Sequence, residues 1–181
     1  MSRWRLPPEG RGRHGLLTPT VPGLGNLAQT SLMNPRSASI VATIALVAAV
    51  AALYLRHELL AANPIAVALQ VGAALLMLWA RVTFGRRSFH AAANPTAGGL
   101  VTWGPYRYWR HPIYSAILLF LWSGALSHGL DSTAIGLVVL ATLATIVRVL
   151  SEENLLRAEF TGSDGYDAYA RRTKRFVPFV L

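Results

Sequence analysis

Four apolar segments alternate with polar, arginine-containing segments along the chain. They run over Ser37–Leu55, from Pro64 to about Ala80, from Pro112 to about Leu126 and from Ser132 to about Leu150. A helix of about 20 apolar residues crosses a hydrocarbon layer of about 30 Å, and proline suits the first position of a helix. The pattern therefore predicts an all-α, polytopic membrane protein with four transmembrane helices. The third helix is short, and a tight turn joins it to the fourth.

The polar segments predict how the chain is organised. Residues 1–36 are rich in Arg, Gly and Pro without apolar periodicity, which is typical of a disordered basic tail. Residues 37–82 hold the first two helices. Residues 83–181 form a core in which a Gly- and aromatic-rich loop over 83–111 precedes helices three and four, and an amphiphilic C-terminal segment follows them.

Composition and charge support the membrane interpretation. Hydrophobic residues make up 53% of the chain and charged residues 14%, whereas a soluble domain has about a quarter charged residues. The net charge of +9 comes from basic residues that flank apolar segments, so it fits lipid headgroups better than nucleic acid. Because there are no cysteines, disulfides, thiolate metal sites and a catalytic thiol are excluded.

The distribution of Lys and Arg predicts the orientation of the helices. Basic residues concentrate in the tail, in the loop between helices two and three and in the C-terminal segment, whereas the other two loops hold only Arg56. The positive-inside rule then places both termini and the long loop in the cytoplasm.

Residues 98–114, GGLVTWGPYRYWRHPIY, form the first segment that could carry chemistry. Pro112 opens helix three, so we expect His111 near its N-cap, where backbone N–H groups suit a carboxylate ligand. The aromatic side chains could stack on a purine or hold a cation. The alternative is an ordinary interfacial loop, because aromatic and arginine side chains gather at headgroup depth.

The second such segment, Arg148 to Glu153, lies at the end of helix four and leads into the C-terminal segment. Arg148 and Glu152 lie four residues apart on one helix face, and ionisable residues at the end of a span are often functional. The alternatives are a simple i,i+4 ion pair or an arginine that reaches the headgroups. We predict no metal site, because the histidines are scattered and His57 and His128 fall on the opposite side from His111.

Residues 100–114 resemble the signature of the isoprenylcysteine carboxyl methyltransferases and related phospholipid methyltransferases. The second half of that family pattern matches Glu152, Glu153, Leu156, Phe160, Tyr166, Tyr169, Arg175 and Pro178. The resemblance covers about residues 83–181. The chain departs from the pattern in its longer Phe160–Tyr166 segment and in its arginine-rich tail.

The resemblance implies methyl transfer from S-adenosylmethionine to a lipophilic substrate that enters from the bilayer, with the C-terminal segment covering the cofactor. Arg148 matches the arginine that faces the acceptor group. By motif position, the cofactor-binding residues would be Gly98, Gly99, Leu100, Val101, Tyr106, His111, Pro112, Ile113, Tyr114 and Glu152.

Two other functions stay open at this point. One is an NADPH-dependent membrane reductase of the steroid-reductase type, and the other is a non-catalytic membrane subunit. The acceptor is also open among a prenylated carboxylate, a phospholipid amine and a hydrophobic small molecule. Arg148 favours an acid, because it would repel a protonated amine.

Overall fold

The computed structural model describes residues 35–85, 100–129, 131–162 and 165–176. The predicted tail over residues 1–34 lies outside them. The helices of the described part are α1 (Pro35–Leu55), α2 (Pro64–Phe84), α3 (Pro112–Ser127), α4 (Ser132–Glu159) and α5 (Tyr166–Arg172), with a 3-10 turn over Gly104–Arg107. The all-α class is thus confirmed, and the described part adds only an isolated parallel bridge between Trp109 and Lys174.

Local sequence explains where the central helices begin. The Asn63 side chain caps α2 by accepting a hydrogen bond of 2.9 Å from the Ala66 N–H, and Pro64 is the first helical residue. Asp131 caps α4 in the same way through the Ala134 N–H at 2.8 Å. Such caps satisfy backbone donors that have no partner within the helix.

Two helices, α2 and α4, extend beyond the apolar segments from which they were predicted. The fourth apolar segment ends near Leu150, but α4 continues to Glu159, and α2 continues past Ala80 to Phe84. Residues 151–159, SEENLLRAE, are mostly good helix formers without Gly or Pro. At 28 residues, α4 is about 42 Å long and exceeds the hydrocarbon layer by about 12 Å. Its polar last turns therefore extend beyond the apolar part.

Three helices, α1, α2 and α4, are long and apolar enough to cross a membrane, with mean hydropathies of 2.4, 1.9 and 2.2 over their best windows. Helix α3 is apolar but has only 16 residues, or about 24 Å. The chain is therefore an integral membrane protein by helix length and composition. A fourth complete span stays a prediction.

Helices α3 and α4 form a central hairpin, with α1 packed along α4 and α2 packed along α3. The α1–α4 interface consists largely of small side chains, which allow close approach of helices in lipid. Its buried residues are Ala42, Leu46, Ala49 and Leu53 of α1 and Ala134, Val138, Ala141 and Ala144 of α4.

The two short loops meet at one end of this bundle. Arg56 Nη2 bonds Asp131 Oδ2 at 3.0 Å, and the Ala62 N–H donates to Ser127 Oγ at 2.8 Å. Towards the opposite end, Thr43 in the first half of α1 contacts Arg148 in the second half of α4. Because the helices alternate in direction, both segments with candidate chemistry lie at that second end, as the sequence predicted.

Buried polar contacts hold the loop between α1 and α2 against α2 and α3. The Gln70 side-chain amide donates to Leu59 O at 2.8 Å and to Phe120 O at 3.1 Å, and its oxygen accepts from the Ala61 N–H. Gly124 of α3 permits this approach, because a Cβ there would lie 2.3 Å from Leu59 O.

We predict that Gly124→Ala lowers the free energy of unfolding by about 1–3 kcal/mol, because the added methyl group displaces the Leu59 backbone. Gly136→Ala is the matched control, since a Cβ at Gly136 of α4 meets nothing within 4 Å. Thermal unfolding in detergent, followed by tryptophan fluorescence, measures both. Equal unfolding temperatures for the two variants would contradict the close contact.

Candidate active site

The first candidate segment contains the 3-10 turn over Gly104–Arg107, which rests on the end of α2. Gly104 has a φ of +61°, and a Cβ there would lie 2.6 Å from Thr83 Oγ1, so both backbone conformation and space require glycine. The buried Tyr106 ring packs on Phe84 with ring centroids 5.4 Å apart. Burial raises the pKa of Tyr106 above its usual range, so its phenol stays protonated even well above neutral pH.

The C-terminal segment lies directly against this loop and the start of α3. The Arg110 N–H donates to Lys174 O at 2.7 Å, and the His111 N–H donates to Arg175 O at 3.1 Å. Tyr169 Oη donates to Tyr106 O at 2.7 Å. These bonds join two segments that are far apart in sequence into one surface at the end of the bundle.

A fully buried carboxylate, Glu153 of α4, connects these parts. Arg175 donates to it from Nε at 3.1 Å and from Nη2 at 3.0 Å. Arg157 Nη2 donates at 3.2 Å, Arg110 Nε lies 3.5 Å away and His111 Nε2 lies 3.4 Å away. A buried carboxylate is tolerated only when it is paired in this way.

A second set of bonded polar side chains lies beside the His111 ring. Its centre is the Tyr114 hydroxyl, which accepts from Arg148 Nε at 2.6 Å and donates to Glu152 Oε2 at 3.0 Å. The Arg148 guanidinium also bonds Thr43 and Ser39 of α1. The ring centroids of His111 and Tyr114 are 5.7 Å apart. The side chains around Glu153, which include His111, therefore lie next to the side chains around Tyr114.

A cavity of about 660 Å³ opens at the same end of the bundle. Its volume is in the range of small-molecule sites, about 300–1,000 Å³. The turn between α4 and α5 forms one wall, and the first motif forms another. The lining residues are Leu100, Thr102, Glu159, Phe160, Thr161, Gly162, Gly165 and Tyr169.

The structure brings together only part of the predicted set. Tyr114 bonds both Arg148 and Glu152, so its hydroxyl links these two side chains of α4. His111 is the N-cap residue of α3, as predicted, but its ring faces Glu153. Pro112 is buried, Leu100, Val101 and Ile113 are half-buried, and Leu100 lines the cavity. Gly98 and Gly99 lie outside the described residues.

Sequence reasoning missed several residues of this region. Glu153 was visible in the E-E pair, but sequence alone does not reveal which of two adjacent glutamates is buried. Ser39 and Thr43 gave no signal, because polar hydroxyls are common in transmembrane helices. The cavity was not predicted, although the glycines of its wall were a usable signal: at Gly165 a Cβ would lie 2.4 Å from Phe160 O, so that position requires glycine.

These features define an all-helical membrane protein with a polar site near the start of α3 and the last turns of α4. A comparison with protein-family models matches residues 65–158 to the isoprenylcysteine carboxyl methyltransferase family. The chain belongs to that family, and so to a class of membrane methyltransferases. No curated protein and no solved structure matches the chain.

We predict that Glu153→Gln lowers the free energy of unfolding by about 3–5 kcal/mol, because it removes the charge that compensates Arg110 and Arg175. Exposed basic residues at 171, 172 and 174 should then be cleaved faster by trypsin. Thermal unfolding and limited proteolysis of cofactor-free protein measure the effect. Glu152→Gln, at the neighbouring half-buried carboxylate, is the control, and equal losses in both variants would contradict the central role of Glu153.

Proposed function

We propose that the protein transfers a methyl group from S-adenosylmethionine to a lipophilic acceptor that reaches the site from the bilayer. The observation that carries this proposal is the Arg148–Tyr114–Glu152 contact at the end of an apolar hairpin. It combines a cation suited to an acidic acceptor with a carboxylate suited to a cationic cofactor. Family membership supports the reaction class.

The described residues fit the proposed cofactor. When bound, S-adenosylmethionine supplies an electrophilic methyl group on a positively charged sulfur. The cavity has sufficient volume, and Glu159, Thr102 and Tyr169 offer a carboxylate, a hydroxyl and an aromatic face. Burial raises the pKa of Tyr169, so its neutral phenol acts as a hydrogen-bonding and stacking group.

Glu152 is the better candidate of the two glutamates for binding the cofactor. Glu153 is fully buried and already bonded to several cations, whereas Glu152 is half-buried and bonds Tyr114. Its carboxylate could accept hydrogen bonds from an amino group or from ribose hydroxyls. The remaining proposed cofactor residues are those of the first motif: Gly98, Gly99, Leu100, Val101, Tyr106, His111, Pro112, Ile113 and Tyr114.

Arg148 is the proposed binding residue for the acceptor. A guanidinium can bind both oxygens of a carboxylate in a fixed plane. Such an acceptor is ionised at neutral pH, so the transfer requires no general base. The enzyme has to align the two reactants and exclude water. This chemistry favours O-methylation of a lipophilic carboxylate.

We further propose that both termini face the cytoplasm, where the soluble cofactor is available. The concentration of Lys and Arg in the tail, the long loop and the C-terminal segment supports this orientation. The loops that carry Arg56 and Asp131 would then face the other side.

We predict that the purified protein binds S-adenosylmethionine with micromolar affinity and that Glu152→Gln weakens binding about tenfold, through loss of one charge-assisted contact. Isothermal titration calorimetry in several detergents measures this. Glu58→Gln, at the opposite end of the bundle, is the control and should bind as wild type. Absence of binding by the wild-type protein in every detergent would contradict the proposal.

We predict that wild-type protein transfers a labelled methyl group from the cofactor to a component of the host membrane lipid extract, and that Arg148→Lys lowers the rate at least about tenfold. Lysine keeps the charge but loses the planar pair of donors. Scintillation counting of extracted lipid, with product identification by mass spectrometry, measures transfer. NADPH oxidation without methyl transfer would instead support the reductase.

A further inference from the structure

Helix α1 contributes two hydroxyl groups to the contacts of Arg148, although residues 65–158 of the family match exclude this helix. Arg148 Nη1 donates to Thr43 Oγ1 and, at 3.4 Å, to Ser39 Oγ. Ser39 is fully buried and Thr43 is half-buried. The two residues are four apart and so share one face of α1.

The Thr43 hydroxyl is oriented to accept from a cation. Its own proton is donated to Ser39 O at 2.7 Å, which leaves the oxygen lone pairs for Arg148. The same face of α1 continues with the buried apolar residues Ala42 and Leu46. Replacing the hydroxyls by apolar groups would remove two acceptors of Arg148 Nη1, and the loss of hydrogen bonds to a charged donor is costly in this setting.

Two different helices therefore define the plane of the guanidinium. Nη1 bonds α1 through Thr43, and Nε bonds α3 through the Tyr114 hydroxyl at 2.6 Å. A planar group held at two of its nitrogens can neither rotate nor tilt freely. Its orientation matters because bidentate recognition of a carboxylate depends on the plane of the guanidinium.

We infer that Thr43, supported by Ser39, is a positioning residue that orients Arg148 for the acceptor, and that α1 is thereby part of the active site. This inference rests on the proposed methyl transfer. It assigns α1 a role in acceptor binding that is separate from cofactor binding, because the α1 hydroxyls contact Arg148 and the proposed cofactor carboxylate is Glu152.

The test compares Thr43→Val, Thr43→Ser and the control Thr145→Val in proteoliposomes. Valine matches threonine in shape but lacks the hydroxyl, whereas serine retains it. Thr145 is a buried threonine of α4 whose hydroxyl donates to Ala141 O at 2.8 Å. Initial rates with labelled cofactor are measured against the concentration of host lipid extract, alongside the cofactor Kd and the unfolding temperature.

We expect Thr43→Val to lower kcat/KM for the lipid extract about tenfold, as a misoriented contact group does. The cofactor Kd should be unchanged, Thr43→Ser should recover most of the loss and Thr145→Val should behave as wild type. Unchanged kcat/KM in Thr43→Val overturns the inference. Parallel losses of cofactor binding and unfolding temperature also overturn it, since they indicate a merely structural role. If wild-type protein transfers no methyl group, the proposed function itself fails, and this role of Thr43 fails with it.

Discussion

The buried charge of Glu153 is the constraint on which the rest of the active-site end depends. A carboxylate without solvent contact requires cationic partners, and here they come from α4 itself, from the segment before α3 and from the C-terminal segment. Satisfying one side chain thus draws together parts of the chain that are distant in sequence. The backbone bonds from Arg110 to Lys174 and from His111 to Arg175 then align the loop with the C-terminal segment.

The side chains proposed to bind the cofactor and the acceptor lie next to the ion pairs of Glu153 but are more exposed than Glu153. Glu153 is fully buried, whereas Arg148, Tyr114 and Glu152 are half-buried. The length of α4 makes the arrangement possible, because its polar turns continue beyond the apolar part of the helix and carry both glutamates. Under the proposed function, such a site would take a water-soluble cofactor from one phase and a lipophilic acceptor from the other.

Sequence patterns predicted the helices well where hydropathy changes sharply and less well where it does not. Pro64, Pro112 and Asp131 mark helix starts because each has a local physical role at that position. The apolar pattern stops near Leu150 and does not mark the end of α4, because polar residues with high helix propensity continue a helix without any apolar signal. For the site, spacing indicated Arg148 and Glu152, but it could not reveal that Tyr114 links them.

The sequence by itself determined the membrane class, the helix order and the shared end of the two motifs, because apolar length and charge distribution are local properties of the chain. The family also follows from the motif residues. Only the tertiary structure decided which glutamate is buried and that α1 contacts Arg148. Both depend on how helices rotate about their axes when they pack, and that rotation is set by contacts such as the alanine-rich face between α1 and α4.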